Sequence, residues 1–538
     1  MNSTRRIPRG RITAVAVFAA LLAVTPGLTV NAAKGGNGRT TEASATTNTT
    51  TMATTTTATT TTTTTVAGGK KTTSSGNSLA TVVDQIGADD MWAAGYTGDG
   101  VDVAVIDTGI APVDELSSTD VFVGPDLSFE GGVDAVAGLD TYGHGTHMAG
   151  IIAGRTPGAD PLRPRRGDFI GVAPDAGIVS VKVADNTGAV DVSQVIAAID
   201  WVVQNRNANG LNIRVLNLSY NTNGTQNYID DPLSKAVENA WNHGIVVVVS
   251  AGNEGRAAYG LANPATNPKV LAVSAAELYA GYGWGVPVWA PSGDGVRNPD
   301  LIAPGVSIAS LRVPGSRIDT EHPGGRIAGD DRLFLGSGTS QAAAVTSGAV
   351  ALLLEQRPEL TPDQVKQLLT DNAASVFEKV LFKGHGLVDL NAAMTATPSP
   401  ADQTQTPATG LGSLEASRGT DHVKIGETRL VGEYTVNGAA WDPAAWVQAS
   451  ESGSTWSGTD DWAGSTWSGS TWSGSTWSGS TWSGSTWSGS TWSGSTWSGS
   501  TWSGSTWSGS TWSGSTWSGS TWSGSTWSGS TWSGSTWS

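Results

Sequence analysis

The chain has 538 residues, and its 46 Asp and Glu residues against 30 Lys and Arg residues give it a formal net charge of −16. Such an acidic chain repels phosphates, which argues against a nucleic-acid partner. It contains no cysteine, which excludes disulfides and catalysis by a thiol. Length alone allows several domains, but only residues 78–396 have the mixed polar and apolar composition that buries a sizeable core.

The first 77 residues predict export followed by a spacer. Residues 1–32 have the pattern of a signal peptide, because arginines precede an apolar run at 12–24 and small residues follow it. Thirteen apolar residues are too few to span a bilayer comfortably, and no second apolar run appears. We therefore expect a secreted, extracellular protein and not an integral membrane protein. Residues 33–77 are rich in threonine and cannot bury apolar surface, which predicts a disordered linker.

Residues 78–396 alternate between strand-like and helix-like segments. Nearly continuous apolar runs suit strands covered on both faces of a parallel sheet, and they lie at residues 101–106, 178–183, 215–218, 245–249 and 270–273. Apolar residues recur at helical spacing between them, in one case behind Asp231 as N-cap and Pro232 at the first helical position. The pattern predicts an α/β fold, a three-layer open and mostly parallel sheet with helices on both faces. Active sites of such sheets lie beyond the carboxyl ends of the strands.

Four segments of this domain carry residues suited to catalysis. Asp107 follows the first strand, and Asn253 follows the strand at 245–249. His144 stands among small residues that leave room for a substrate beside the imidazole. Ser340 begins an apolar helix and lies at the positive end of the helix dipole. Each residue alone fits an ordinary structural role, such as a strand end, a turn or a helix cap.

A zinc site is an alternative at the second segment, because His144 and His147 lie three residues apart. The segment lacks the glutamate and the spacing of the HExxH metalloprotease helix, which argues against zinc. We expect no metal ligands there.

Taken together, the four segments resemble the subtilisin-like serine peptidases, the subtilases or peptidase family S8. The order Asp, His, Ser is that of subtilisin, and Asp107, His144 and Ser340 match the three signature segments of the family residue by residue. Asn253 matches the oxyanion amide of the family. The resemblance covers nearly all of residues 78–396 and implies a subtilisin-like fold and a serine endopeptidase acting on polypeptides. It also implies that these residues are the triad and the oxyanion donor.

The resemblance further implies two edge segments that pair with an extended peptide, here residues 187–189 and 219–221. Gly188, Ser219 and Tyr220 are therefore candidate substrate-binding residues. The second segment normally reads Ser-Leu-Gly, so Tyr220 and Asn221 put the shape of the first specificity pocket in doubt.

Two other departures from the family pattern concern a helix and an ion. After Ser340 the family usually has methionine and, a little later, proline, where this chain has Gln341 and Ala344. These positions support the helix, so we expect the geometry to survive. We expect no required cofactor. The commonest calcium loop of the family finds no match at residues 155–169, so a structural calcium ion stays an open question.

The C-terminal part is expected to comprise a linker region at residues 397–453 and pentapeptide repeats at residues 454–538. The repeat Gly-Ser-Thr-Trp-Ser has a period that matches neither a strand nor a helix, and its glycine and serine favour a disordered tail. One interpretation is a spacer or a repeat expansion. The other is that the tryptophans stack on wall glycans or on each other and retain the protein at the cell surface.

Two functions from different classes fit these observations. The first is a secreted serine endopeptidase that works through an acyl-enzyme formed on Ser340. The alternative is a catalytically silent surface-binding protein whose peptidase fold displays the tryptophan repeats. A decayed enzyme often loses one catalytic residue, whereas Asp107, His144, Ser340 and Asn253 are all present, which favours the enzyme.

Overall fold

A computed structural model describes residues 78–452, except 132, 134, 259, 280–282 and 402, together with the backbone of short strands between residues 466 and 537. The predicted signal peptide and the threonine-rich linker lie outside the described residues. In the part of the chain that is described, no helix is both long and apolar enough to cross a membrane.

The centre of the domain is an eight-stranded sheet. Its strands are β1 (Asp102–Asp107), β2 (Val121–Asp126), β3 (Gly177–Lys182), β4 (Ile213–Leu218), β5 (Val246–Ser250), β6 (Leu271–Tyr279), β7 (Gly283–Gly285) and β8 (Leu301–Pro304). They follow the order β2-β3-β1-β4-β5-β6-β7, and β8 also pairs with β6. Only the β6–β7 pair is antiparallel among these described pairs. The predicted α/β fold with a mostly parallel sheet is confirmed.

Helices cover the sheet on both faces, which is why every residue of β1, β3 and β5 is buried. The helices are α1 (Leu79–Ile86), α2 (Ala88–Ala93), α3 (Gly145–Ala153), α4 (Val192–Asn205), α5 (Pro232–Asn242), α6 (Arg317–Glu321), α7 (Thr339–Gln356), α8 (Pro362–Asp371), α9 (Val380–Lys383), α10 (Leu390–Thr395), α11 (Leu414–Arg418) and α12 (Pro443–Glu451). Short 3₁₀ helices lie at Asp114–Leu116, Ala208–Gly210, Arg256–Ala258 and Pro323–Gly325. The predicted N-cap Asp231 accepts a hydrogen bond from the Ser234 N–H at 2.8 Å.

Helix α7 is the central helix of the domain. It packs across β4, β5, β6 and β8, and it is buried along nearly its whole length. Smaller sheets lie outside the central one. They are formed by β9 (Ile308–Leu311), β10 (Arg326–Ile327) and β11 (Asp330–Gly336), and by β12 (Lys424–Ile425) and β13 (Thr428–Arg429).

Part of the region predicted as a linker at residues 397–453 packs against the helices of the domain. Leu414 and Arg418 are fully buried, and Trp446 is 1% exposed. Helix α11 packs on α4 and α5, and α12 packs on α5. The few apolar residues of this region are separated by glycine, proline and polar residues, so they show no periodicity that would indicate a folded segment.

The repeats contain short strands, β14 (Thr466–Ser468) to β28 (Thr536–Trp537), one in each repeat. Each pairs in parallel with the strand four repeats later, so that Thr466 lies opposite Thr486 and Trp467 opposite Trp487. These described strands form three four-stranded sheets and one three-stranded sheet. The disordered tail predicted for residues 454–538 stays a prediction.

Candidate active site

The four predicted catalytic residues lie at or next to the carboxyl edge of the sheet. Asp107 is the last residue of β1, and Asn253 lies three residues after the end of β5. His144 immediately precedes α3, and Ser340 lies in the first turn of α7. Parallel strands bring their carboxyl ends to one edge, which is how residues far apart in sequence become neighbours.

Asp107 and His144 form the central contact of the site. The Nδ1 atom of His144 lies 2.8 Å from one carboxylate oxygen of Asp107 and 2.9 Å from the other. The Asp107 side chain is 4% exposed, whereas that of His144 is 23% exposed. A buried carboxylate therefore fixes the imidazole through Nδ1, which leaves Nε2 for a reacting group.

The charge state of His144 reflects two opposing effects. Burial disfavours the imidazolium, but the charge of Asp107 and its hydrogen bond favour it, and the pKa of His144 is raised above its ordinary value. His147 behaves in the opposite way: burial and the neighbouring His144 lower the pKa of His147 to about 3. The two histidines therefore differ in role although they stand on one turn.

Asp140 holds the loop before His144, and sequence reasoning missed it. It is 3% exposed and accepts hydrogen bonds from the Thr108 hydroxyl at 2.8 Å and the Gly143 N–H at 2.6 Å. The Thr146 N–H and hydroxyl donate to its other oxygen at 2.8 and 2.6 Å. These bonds tie the end of β1 to the start of α3. A lone aspartate in a loop gives no sign of four partners, so only the fold reveals it.

Ser340 is placed by the first turn of α7. Gly338 is the N-cap residue, and Ser340 itself is 8% exposed. The positive end of the helix dipole favours negative charge that develops near this serine. Gln341 and Ala344 stand where the family usually has methionine and proline, and both are buried in an unbroken helix.

Asn253 is oriented by α7. Its side-chain oxygen accepts a hydrogen bond from the Thr339 N–H at 3.0 Å, and the Thr339 hydroxyl lies 3.3 Å away. This contact directs the amide oxygen toward the helix, so the amide nitrogen is the atom offered to an oxyanion. The side chain was assigned this role by resemblance, and its role stays a prediction.

A cavity next to His144 is lined by His147, Leu311, Phe334 and Gln341, among others. The Nε2 atom of His147 is buried without a hydrogen-bond partner in the described part of the chain. The lining of the cavity also includes the ion pair of Arg312 with Asp319, so both apolar and charged side chains face the cavity.

The three candidate substrate-binding residues lie around the same edge. The hydroxyl of Ser219 is 3.4 Å from the backbone oxygen of Ser340, so the two residues are neighbours. Gly188 has a φ of +79°, and an added Cβ would lie 3.1 Å from the ring of Tyr142. Tyr220 packs partly buried against the main hydrophobic core. Contact with substrate stays a prediction for all three.

Metal ligands do not cluster at this site. Within the described residues, no group of three or more His, Asp or Glu side chains is arranged to hold a metal ion.

Comparison with known proteins identifies relatives of the chain. A sequence model of the subtilase family matches residues 98–410. Serine protease AprX of Bacillus subtilis (strain 168) is 36% identical over 290 residues, which cover 51% of this chain and 61% of AprX. Subtilisin E of the same organism is 33% identical over 320 residues, covering 58% of this chain and 70% of subtilisin E. Among solved structures, fervidolysin from Fervidobacterium pennivorans is 28% identical with a TM-score of 0.47, covering 59% of this chain and 46% of fervidolysin.

The overlap is partial in both directions. The chain spans less than two thirds of AprX, and only 41% of the minor extracellular protease Epr of Bacillus subtilis (strain 168), to which it is 29% identical. Residues after 410 lie outside the family match.

Proposed function

The chain belongs to the subtilase family, and from this premise we propose that it is a secreted serine endopeptidase. In the proposal Asp107, His144 and Ser340 are the catalytic triad and Asn253 is the oxyanion donor. The observation that carries it is the contact of His144 Nδ1 with both oxygens of the buried Asp107 carboxylate, at 2.8 and 2.9 Å. That contact supplies the oriented base that a serine nucleophile requires.

The reaction would pass through an acyl-enzyme. The Ser340 hydroxyl oxygen attacks the scissile carbonyl carbon while His144 Nε2 takes its proton. The C–N bond then breaks as His144 returns the proton to the leaving amine. A water molecule repeats the sequence on the ester, releasing the acid and restoring Ser340. Asp107 stabilises the transient imidazolium throughout.

Charge on the substrate oxygen would be stabilised from two sides. The Asn253 amide and the backbone N–H of Ser340 supply donors, and the first turn of α7 adds the positive end of its dipole. Because Thr339 holds the Asn253 oxygen, the donor is oriented before substrate binds.

Labelling with a fluorophosphonate probe tests this function. We expect the purified protein to be labelled and a Ser340→Ala variant of equal folding to remain unlabelled. A catalytically silent surface-binding protein, the alternative function, would not be labelled in either form. That result, obtained with folded protein, would contradict the proposed enzyme.

We propose that catalysis needs no cofactor. Incubation with EDTA separates chemistry from stability: the initial rate should not change. A structural calcium ion would instead be seen as a lower Tm in EDTA that added calcium restores. Immediate loss of the rate in EDTA would contradict the proposal.

The tryptophan repeats are proposed to contact cell-wall glycans and to retain the secreted enzyme at the cell surface. The observation behind this proposal is the large number of tryptophans in the repeats, which a simple spacer would not need. Sedimentation of the full chain with purified cell wall, beside a chain ending at residue 452, tests this. Equal sedimentation of the two forms would support the alternative, a spacer or repeat expansion.

A further inference from the structure

A short segment beyond the family match joins the two loops that flank the catalytic edge of the sheet. The first loop is residues 183–191, after β3, and the second loop is residues 219–231, after β4. Because β3 and β4 lie on either side of β1, these loops flank Asp107. Residues 413–436, which we call the clamp, contact both loops.

The clamp holds the first loop through a buried ion pair. The Nε atom of Arg418 donates to Asp191 at 2.5 Å, and both side chains are 0% exposed. The Nη2 atom of Arg418 also donates to the other Asp191 oxygen at 3.3 Å. Its other donors bind within the clamp, to Glu415 at 3.2 Å, to the Gly432 carbonyl at 2.7 Å and to the Tyr434 carbonyl. The guanidinium is thus fully used, which is the condition under which a buried charge is tolerated.

Asp191 is more than a charge partner. It is the N-cap of α4, and its carboxylate accepts the Ser193 N–H at 2.9 Å. The last residue of the first loop is therefore fixed by α4 on one side and by Arg418 on the other.

The clamp holds the second loop through hydrogen bonds that each join a backbone group to a side chain. The Thr222 hydroxyl donates to the Ser417 carbonyl at 2.6 Å, and the Asn223 N–H donates to Asp421 at 3.1 Å. Gly419 has a φ of +61°, and a Cβ there would lie 1.9 Å from the Asn223 carbonyl oxygen. Only glycine permits this approach.

The held part of the second loop adjoins the nucleophile. Ser219 contacts the backbone of Ser340, three residues before the Thr222 anchor. Between them, the Asn221 amide donates to the Ser250 carbonyl at 2.7 Å and accepts from the Ser250 hydroxyl at 2.9 Å. A shift of the clamp would therefore move the candidate substrate-binding residues Ser219 and Tyr220 through a few contacts.

Tyr220 lies in the second loop, between Ser219 and the residues that the clamp holds. Burial raises the pKa of Tyr220 well above its ordinary value, and the charges of Asp191 and Asp421 act in the same direction, opposed by Arg418. The charges of both anchors therefore lie near this one side chain.

We propose that the clamp sets the relative position of the two loops for extended polypeptide substrates, and that Arg418 is a positioning residue for this binding. The inference rests on the proposed function. An extended peptide uses backbone partners on both sides of its chain, so the separation of the two loops decides how well it binds. The chemistry at Ser340 does not depend on that separation.

The experiment compares substrates of different length. In an Arg418→Met variant, we expect KM for a tetrapeptide p-nitroanilide to rise about tenfold or more, while kcat/KM for a single-residue ester changes less than about threefold. Arg418→Lys, which keeps the charge, should restore part of the difference. The rate of fluorophosphonate labelling of Ser340 should stay near that of the unmodified chain.

Lys366→Met is the matched control. Lys366 is also buried and paired, with Asp300 at 3.2 Å, but it lies where β6 and β8 begin, at the opposite edge of the sheet. The Lys366→Met variant should lower Tm without changing the ratio of the activities on the two substrates. If Arg418→Met lowers both activities equally, as a stability defect would, the positioning role is overturned.

Thr222→Val covers the case in which Arg418→Met does not fold. It removes the hydroxyl bond to the Ser417 carbonyl and the weaker bond that the hydroxyl accepts from the Asn263 amide at 3.3 Å. It should raise KM for the tetrapeptide by a smaller factor than Arg418→Met does. An unchanged KM in folded Thr222→Val would overturn the proposal. Failure of the proposed function itself is distinguishable, because the unmodified chain would then not be labelled.

Discussion

At the scale of single residues, the site depends on a carboxylate that performs no chemistry. Asp140 accepts four hydrogen bonds that join the end of β1 to the start of α3. An Asp140→Ala variant leaves those buried donors without partners, each at a cost of about 1–3 kcal/mol. We expect a lower Tm and a kcat/KM reduced about 10²-fold through misplacement of His144. Steady-state kinetics and thermal unfolding measure both, and an unchanged kcat/KM would refute this role of Asp140.

A single residue, His144, also determines how the activity depends on pH. His144 acts as a base only when neutral, and its pKa is raised because the attraction of Asp107 outweighs the effect of burial. Activity is therefore lost as pH falls through a value above 6.5. His147, with a pKa of about 3, stays neutral over this range. We expect an acidic limb of kcat/KM with a slope of one proton; a midpoint below 6.5 or a slope of two would contradict this assignment.

At the scale of elements, the N-terminus of α7 carries both the proposed nucleophile, Ser340, and Thr339, which orients Asn253. Removing an oxyanion amide costs about 10²–10³ in kcat, a figure measured on subtilisin's own asparagine. We expect that loss for Asn253→Leu, with little change in KM. Thr339→Val removes the hydroxyl contacts to Gly252 and Asn253 and should give a smaller loss of kcat. Rates measured under saturating substrate test this, and a Thr339→Val variant that changes only KM would argue against it.

Helix α12 attaches to the domain through Asp200. The carboxylate accepts hydrogen bonds from the Trp446 indole at 2.8 Å and the Ser450 hydroxyl at 2.6 Å. Burial raises the pKa of Asp200 to about 6 from an ordinary value of 3.8. The folded chain thus binds the proton more tightly than the unfolded chain, so this contribution to stability is full below pH 3.8 and lost as pH rises through about 6.

An Asp200→Asn variant tests that linkage. Asparagine can still form hydrogen bonds with the Trp446 and Ser450 side chains, but it does not ionise. We expect its free energy of unfolding, relative to the unmodified chain, to increase from pH 4 to pH 7, as measured by denaturant unfolding. A difference that does not vary with pH would show that Asp200 does not ionise in this range.

At the scale of the whole molecule, the folded unit extends past the family match. Residues 413–452 bury Leu414, Arg418 and Trp446 against α4 and α5. A chain ending at residue 452 should therefore keep its Tm and its fluorophosphonate labelling. A chain ending at residue 410 exposes the apolar surface under these side chains and removes the partner of Asp191, so it should aggregate or lose Tm by more than about 10 °C. Equal Tm values for the two chains would show that residues 411–452 are not part of the folded unit.

Much of the fold could be predicted from local pattern. Continuous apolar runs predicted β1, β3, β4 and β5 to within a few residues, because strands buried on both faces have no polar alternation. Asp231 and Pro232 marked the start of α5, since capping is satisfied by neighbouring residues. The packing of residues 413–452 on the domain could not be predicted, because their partners lie in helices and loops that are distant in sequence.

The sequence alone determined the family and the candidates for chemistry, since Asp107, His144, Ser340 and Asn253 each lie in a short segment whose residues are adjacent in the chain. The tertiary structure decided which of them touch, and it added Asp140 and Arg418. Arg418 and Asp191 are 227 residues apart, and the sequence around each of them does not indicate that they pair. A charge is recognised as a site only when its burial and its partner are known, and both follow from the packing of elements rather than from the order of residues.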